Sequence, residues 1–154
     1  MMLSAAFLSS PHANAAPHPA GATDAAGADG GARILIIDDE DTVRMVVRRV
    51  LERAGYAVDD ARNGQAGVDR YREAGAAIGL IFLDMTMPGL SGPDTLRALR
   101  AIDPSVAVIL MSGYGHQDAI AQFGDDADHF ADFLQKPFRP TDITEVVARV
   151  LAEA

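Results

Sequence analysis

Cysteine and tryptophan are absent from the 154 residues, and lysine occurs once, at Lys136. Without cysteine there is neither a disulfide framework nor a thiolate metal site, and the chain is compatible with a reducing compartment. No run of about 18 apolar residues occurs, so nothing reads as a bilayer-spanning helix, and no membrane partner is expected. Positive charge is sparse: 12 of the 13 basic residues are arginines scattered along a chain of formal net charge -9. A nucleic-acid binder needs clustered Lys and Arg to neutralise phosphates, so that class is excluded. With 49% hydrophobic and 23% charged residues, the chain has material for one ordinary core and no room for two full domains.

Residues 1–32 are dominated by Ala, Gly, Pro, His and Ser, with Asp24 and Asp29 as their only charges. Such a stretch cannot supply a packed face, and a disordered leader is expected there. Its apolar start lacks the basic flank of a secretory signal and is broken by Ser4, Ser9 and Ser10, so the domain is read as cytoplasmic. All 13 basic and 20 of the 22 acidic residues follow Ala32, which leaves the body at -7 and sets the folded domain at 33–154.

Within that body, short apolar runs alternate with amphipathic segments, the pattern of βα units around a parallel sheet buried on both faces. ILII (34–37), LIFL (80–83) and VAVILM (106–111) read as strands, as does Phe130 to Gln135; Tyr56 to Asp60 is more polar and reads as an edge strand. Helical spacing of Val43, Val46, Val47, Val50 and Leu51 predicts a helix over Thr42 to Ala54, stopped by Gly55. Asn63 to Ala74, Pro93 to Ile102, His116 to Phe123 and Pro140 to Ala152 supply four more, Asn63 serving as a cap. The expected fold class is α/β, a (βα)5 doubly wound parallel sheet. Ligands of such sheets bind beyond the carboxyl ends of the strands.

Those ends carry the reactive side chains. The first strand runs into Asp38-Asp39-Glu40-Asp41, which alone would read as a solvated turn. The third strand ends in Asp84, followed by Met85-Thr86-Met87-Pro88-Gly89, and adjacency of the two strands would gather Asp38, Asp39 and Asp84 in one small volume. Three carboxylates repel one another unless a cation intervenes, and an oxygen-only pocket suits a hard ion, Mg²⁺ before Ca²⁺. A calcium loop starting at Asp39 would need Gly at its sixth position and Glu at its twelfth, where Arg44 and Val50 stand. The fourth strand ends in Met111-Ser112-Gly113, either a plain turn or a hydroxyl offered to a ligand. The fifth ends in Gln135-Lys136-Pro137-Phe138, where Lys136 is either a point-charge partner for a phosphoryl oxygen or a salt bridge to the acidic cluster. Pro137 opens the option of a cis bond after Lys136. The run Asp125, Asp126, Asp128 and His129 reads as a solvated acidic loop.

ILIIDDED, LIFLDMTMPGLSG, VILMSGYG and FLQKPF, in this order and spacing, resemble the motifs of the response-regulator receiver family over essentially all of 33–154. The resemblance implies the CheY-like, flavodoxin-like strand order 2-1-3-4-5, for which a member of this family is the standard example. It implies a phosphoacceptor of two-component phosphorelay signalling, phosphorylated on Asp84 by a histidine kinase or a histidine phosphotransfer protein. By the same resemblance Asp39 is a direct Mg²⁺ ligand and Asp38 a ligand through water, with Asp84 and the backbone carbonyl of Thr86 completing the metal site. Ser112 and Lys136 would hold phosphoryl oxygens. Ser112 and Phe133 would form the switch that repacks the face of the fourth helix, fifth strand and fifth helix for a downstream protein effector. MSGYG with FLQKPF resembles receivers of hybrid histidine kinases more than those of transcription factors.

No effector segment follows the last expected helix, so output is expected through binding, with no enzyme activity beyond the domain's own phosphorylation and dephosphorylation. A haloacid-dehalogenase-like phosphatase would also use an aspartyl phosphate, but it needs a second Asp two residues after the nucleophile, where Thr86 stands. A receiver that has lost phosphorylation finds no support, since every expected site residue is present.

Overall fold

The computed structural model describes residues 32–124 and 130–153. The leader up to residue 31 and the acidic loop 125–129 lie outside the described residues. Five strands alternate with five helices: β1 (Arg33–Ile37), α1 (Asp41–Arg53), β2 (Val58–Ala61), α2 (Gly64–Ala74), β3 (Ile78–Asp84), α3 (Gly92–Ile102), β4 (Ala107–Ser112), α4 (His116–Phe123), β5 (Asp132–Gln135) and α5 (Pro140–Glu153). The strands form one parallel sheet in the order β2-β1-β3-β4-β5.

Alternation along each central strand divides the core in two. Leu35, Ile37, Ile81, Leu83, Val108 and Leu110 face α2, α3 and α4, joining Val68, Tyr71, Leu96, Leu99 and Phe123. Ile34, Ile36, Leu80, Phe82, Ile109 and Met111 face α1 and α5, joining Val47, Leu51, Ile143, Val146 and Val150. Because both faces are covered, the central strands carry no polar alternation, which is why they read as continuous apolar runs. Each such Leu, Ile or Phe contributes roughly 1.5–3 kcal/mol by leaving water. None of the helices among the described residues is long and apolar enough to cross a membrane.

The edge strand β2 is polar because its charges are used there. Asp59 pairs with Arg33 and Arg70, both at 3.1 Å, and Asp60 with Arg48 at 3.4 Å and Arg44 at 3.6 Å. Charges along an exposed edge also discourage pairing with another chain. β2 starts at Val58, two residues later than the apolar pattern at Tyr56 implies. The reason lies in how α1 ends: Gly55, at φ 98°, donates to Glu52 O and Tyr56 N–H reaches back to Leu51 O, a Schellman closure that holds Tyr56 with the helix. β5 likewise starts at Asp132, after Ala131 N–H has bonded to Val108 O at 2.7 Å, and Phe130 packs on the core instead of pairing. The cap expected at Asn63 is present, accepting from Ala66 N–H at 2.7 Å.

Strand register prepares the site. Ile37 pairs with Leu83, Asp84 with Met111, and Ser112 with Gln135. Asp38, Asp84, Ser112 and Lys136 therefore emerge along one edge of the sheet.

Candidate functional site

Asp38, Asp39 and Asp84 each bring a carboxylate oxygen within 4.8 Å of the others, Asp38 and Asp84 buried and Asp39 exposed. The two neighbours on β1's end diverge because the strand stops at Ile37. Asp38 is turned inward, its Oδ1 accepting from Glu40 N–H at 2.8 Å and its carbonyl from Arg44 at 2.8 Å. Asp84 closes β3, and its carboxylate accepts from Thr86 N–H. The start of α3 is pressed against the loop that follows: Gly92 N–H donates to Met85 O at 3.2 Å, and a Cβ at Gly92 would fall 2.7 Å from Met85 backbone. A side chain there would push the loop off its seat beside Asp84.

Lys136 crosses the cleft to all of this. Its Nζ donates to Asp38 Oδ2 at 2.9 Å, Glu40 Oε1 at 3.0 Å and Asp84 Oδ1 at 3.3 Å. Its backbone N–H donates to Ser112 O at 2.7 Å, and the peptide bond to Pro137 is cis. Ser112 is wholly buried and its Oγ accepts from Tyr114 N–H at 2.9 Å; a hydroxyl also carries one proton to donate and can rotate to do so. Asp39, Glu40, Asp84, Thr86, Gly113, Tyr114 and Lys136 line a cleft of about 340 Å³ over the cluster. Phe133 stands outside it on β5, half-buried, with its ring centroid 4.9 Å from that of His116 at the start of α4.

The electrostatics follow from burial. Desolvation, and then the charge of Asp38, push the Asp84 carboxyl up to about 7 against the opposing pull of Lys136. Asp38 is also raised, again chiefly by burial. Burial alone would lower Lys136, but the hydrogen bonds to Asp38 and Glu40 and the charges of Asp38 and Asp84 outweigh it and hold the ammonium above its ordinary range. One ammonium among four carboxylates leaves negative charge uncompensated, and the donor set is entirely oxygen. Such a cluster fits a hard divalent cation and one anionic ligand oxygen better than a soft metal.

Every site residue expected from the sequence thus lies at this edge of the sheet, except Phe133, which stands further back along β5, paired with Leu110. Glu40 is the partner that the sequence did not single out: beside two aspartates it reads as one more turn charge, and only its hydrogen bond to Lys136 distinguishes it. Tyr114, 55% exposed on the rim, is marked in the sequence only as part of the MSGYG motif.

Known proteins share both the sequence and the architecture. The response regulator receiver domain model matches residues 34–148. Chemotaxis protein CheY of Thermotoga maritima is 33% identical over 121 residues, spanning 78% of this chain and 98% of that protein. Sensor kinase CckA of Brucella abortus is 36% identical over 122 residues, covering 79% of this chain but only 13% of the kinase. A solved response regulator receiver domain protein from Clostridium thermocellum has a TM-score of 0.71 and 31% identity, over 79% of this chain and 95% of that one. Since sequence and fold agree over the same stretch, which carries the acidic edge just described, this chain belongs to the response-regulator receiver family, the phosphoacceptor domains of two-component signalling.

Proposed function

We propose that Asp84 is the residue that takes up the phosphoryl group. The observation that carries this is its position: a buried carboxylate at the end of β3, bonded to the ammonium of Lys136 and within 4.8 Å of two further carboxylates in an all-oxygen cluster. A carboxylate oxygen of Asp84 attacks phosphorus, the bond from phosphorus to the donor's nitrogen or oxygen breaks, and the leaving atom departs with the electron pair. Asp84 is a weak nucleophile, so the rate depends on in-line positioning and on neutralising the equatorial oxygens. Lys136 offers its ammonium to one of them, and Ser112 swings its hydroxyl from the Tyr114 turn to donate to another. Asp39 directly, Asp38 through water, Asp84 and the carbonyl of Thr86 would hold Mg²⁺, which supplies further charge neutralisation when bound.

The donor is a histidine kinase or a histidine phosphotransfer protein, and the readout is a changed affinity for a downstream protein through α4, β5 and α5. The match to a sensor kinase alongside one to a small chemotaxis protein supports a phosphorelay role. The domain acts on no separate substrate and works in the cytoplasm, and 33–154 suffices for folding and transfer. Incubating the purified protein with Mg²⁺ and acetyl phosphate tests the assignment: intact mass should show one added phosphoryl group, absent in Asp84→Asn. A phosphoryl group that persists in the variant would place the acceptor elsewhere.

A further inference from the structure

We propose that Glu40 is a positioning residue that holds Lys136 in the resting protein and competes with the phosphoryl group for it, an inference that rests on Asp84 being the acceptor. An ammonium has three hydrogens to donate, and here three carboxylates take them: Asp38, Glu40 and Asp84. An oxygen arriving on Asp84 must therefore take a hydrogen either from the Asp84 carboxylate itself, at 3.3 Å the longest contact, or from one of the two partners outside the acceptor, Asp38 and Glu40. Asp38 is wholly buried and would be left without its cationic partner, an expensive exchange. Glu40 is the cheap one to release, since its side chain is 59% exposed and water can solvate it at once.

A second observation points the same way. Glu40 occupies the N-cap of α1, where an acidic side chain is favoured by the helix dipole, yet its carboxylate makes no capping hydrogen bond. It reaches across to Lys136 at 3.0 Å instead. Once released, it remains at the N-terminus of α1, where the first-turn N–H groups have no intrahelical carbonyl partner and a negative charge is favoured. Glu40 also lines the cleft itself, where its charge opposes an incoming dianion.

Removing that charge should therefore favour the phosphoryl-bound state by the worth of a half-exposed ion pair, about two- to fivefold. Because Lys136 is the only lysine, protein labelled with ¹⁵N-lysine gives one side-chain ammonium resonance, which reports the exchange directly. The experiment titrates beryllofluoride, a mimic of the phosphoryl group, into wild type, Glu40→Gln, Glu40→Asp and Asp84→Asn at saturating Mg²⁺, so that metal loading does not differ. In the free proteins the Lys136 resonance should differ between wild type and Glu40→Gln, and with beryllofluoride the two should converge. The midpoint should fall about two- to fivefold in Glu40→Gln and lie between the two in Glu40→Asp, which keeps the charge on a shorter stem. A Lys136 resonance unmoved by Glu40→Gln, or an unchanged or raised midpoint in a variant that melts cooperatively, overturns the role of Glu40. Failure of wild type to respond to beryllofluoride, or an equal response in Asp84→Asn, overturns the acceptor assignment itself, and with it the competition.

Discussion

Replacing Asp84 with asparagine keeps its volume and removes a carboxylate from a place that resists charge. The Asp84 carboxyl stands at about 7 in the folded protein against 3.8 for an ordinary aspartate. At about 1.4 kcal/mol per unit, that interval sets a ceiling of about 4 kcal/mol on what ionising Asp84 costs the fold above neutral pH. Part of this belongs to the pair with Asp38, whose own carboxyl is raised. The bond to Lys136 that would be weakened is the longest of the three, at 3.3 Å. The net gain expected for Asp84→Asn is thus about 2 kcal/mol in metal-free protein at pH 7.5. The sign with pH is fixed: a carboxyl raised in the folded state makes stability fall as pH rises from the unfolded value towards the folded one. The advantage of the variant should consequently grow from well under about 1 kcal/mol at pH 4 to its full value above pH 7. Urea unfolding of both proteins across that range, in the presence of chelator, measures it. Added Mg²⁺ should narrow the gap, stabilising wild type by about 2.7 kcal/mol at a hundredfold excess over its dissociation constant and the variant less. A variant no more stable than wild type at neutral pH, or one whose advantage is flat with pH, would refute the claim that burial holds Asp84 up.

Asp39→Ala should weaken Mg²⁺ binding more than Asp38→Ala, since Asp39 is proposed as the direct ligand and Asp38 as one acting through water; calorimetric titration of both ranks them, and an unaffected Asp39→Ala would remove β1 from the metal site. Amide NMR shifts on beryllofluoride binding should extend from the cleft to His116–Phe123 and Asp142–Val150 in wild type and shrink in Ser112→Ala, because Ser112 is the proposed link to Phe133; shifts confined to the neighbourhood of Asp84 would reject that route. A chain beginning at Ala32 should melt as cooperatively and accept phosphoryl as fast as the full chain, since both core clusters lie between Ile34 and Leu151. Loss of the cooperative transition would move the domain boundary.

Much of this fold and site is legible in the sequence. The central strands announced themselves because a parallel strand covered on both faces must be apolar throughout, as ILII and LIFL are, and the helices because a 3.6-residue period with a stop such as Gly55 is local information. The strand order comes with the family resemblance, and β2 and β5 start later than the apolar pattern implies because Tyr56 and Phe130 look like strand residues but are held by a helix closure and by core packing. At the site, the sequence determined which chemistry is available: carboxylates at the ends of the first and third strands, a hydroxyl on the fourth, and one lysine on the fifth. It could not say which carboxylate faces inward, nor which ones a single ammonium would touch. Asp38 and Asp39 are adjacent and identical in type, yet one is buried and the other exposed, because β1 ends between Ile37 and the turn. Lys136 meets Asp38 across 98 positions of chain only because the β1-β3-β4-β5 register brings those strand ends level. Glu40 acquires its partner in the same way. An ion pair of this kind depends on the relative placement of separate strands, a property of the packed sheet that no local pattern encodes.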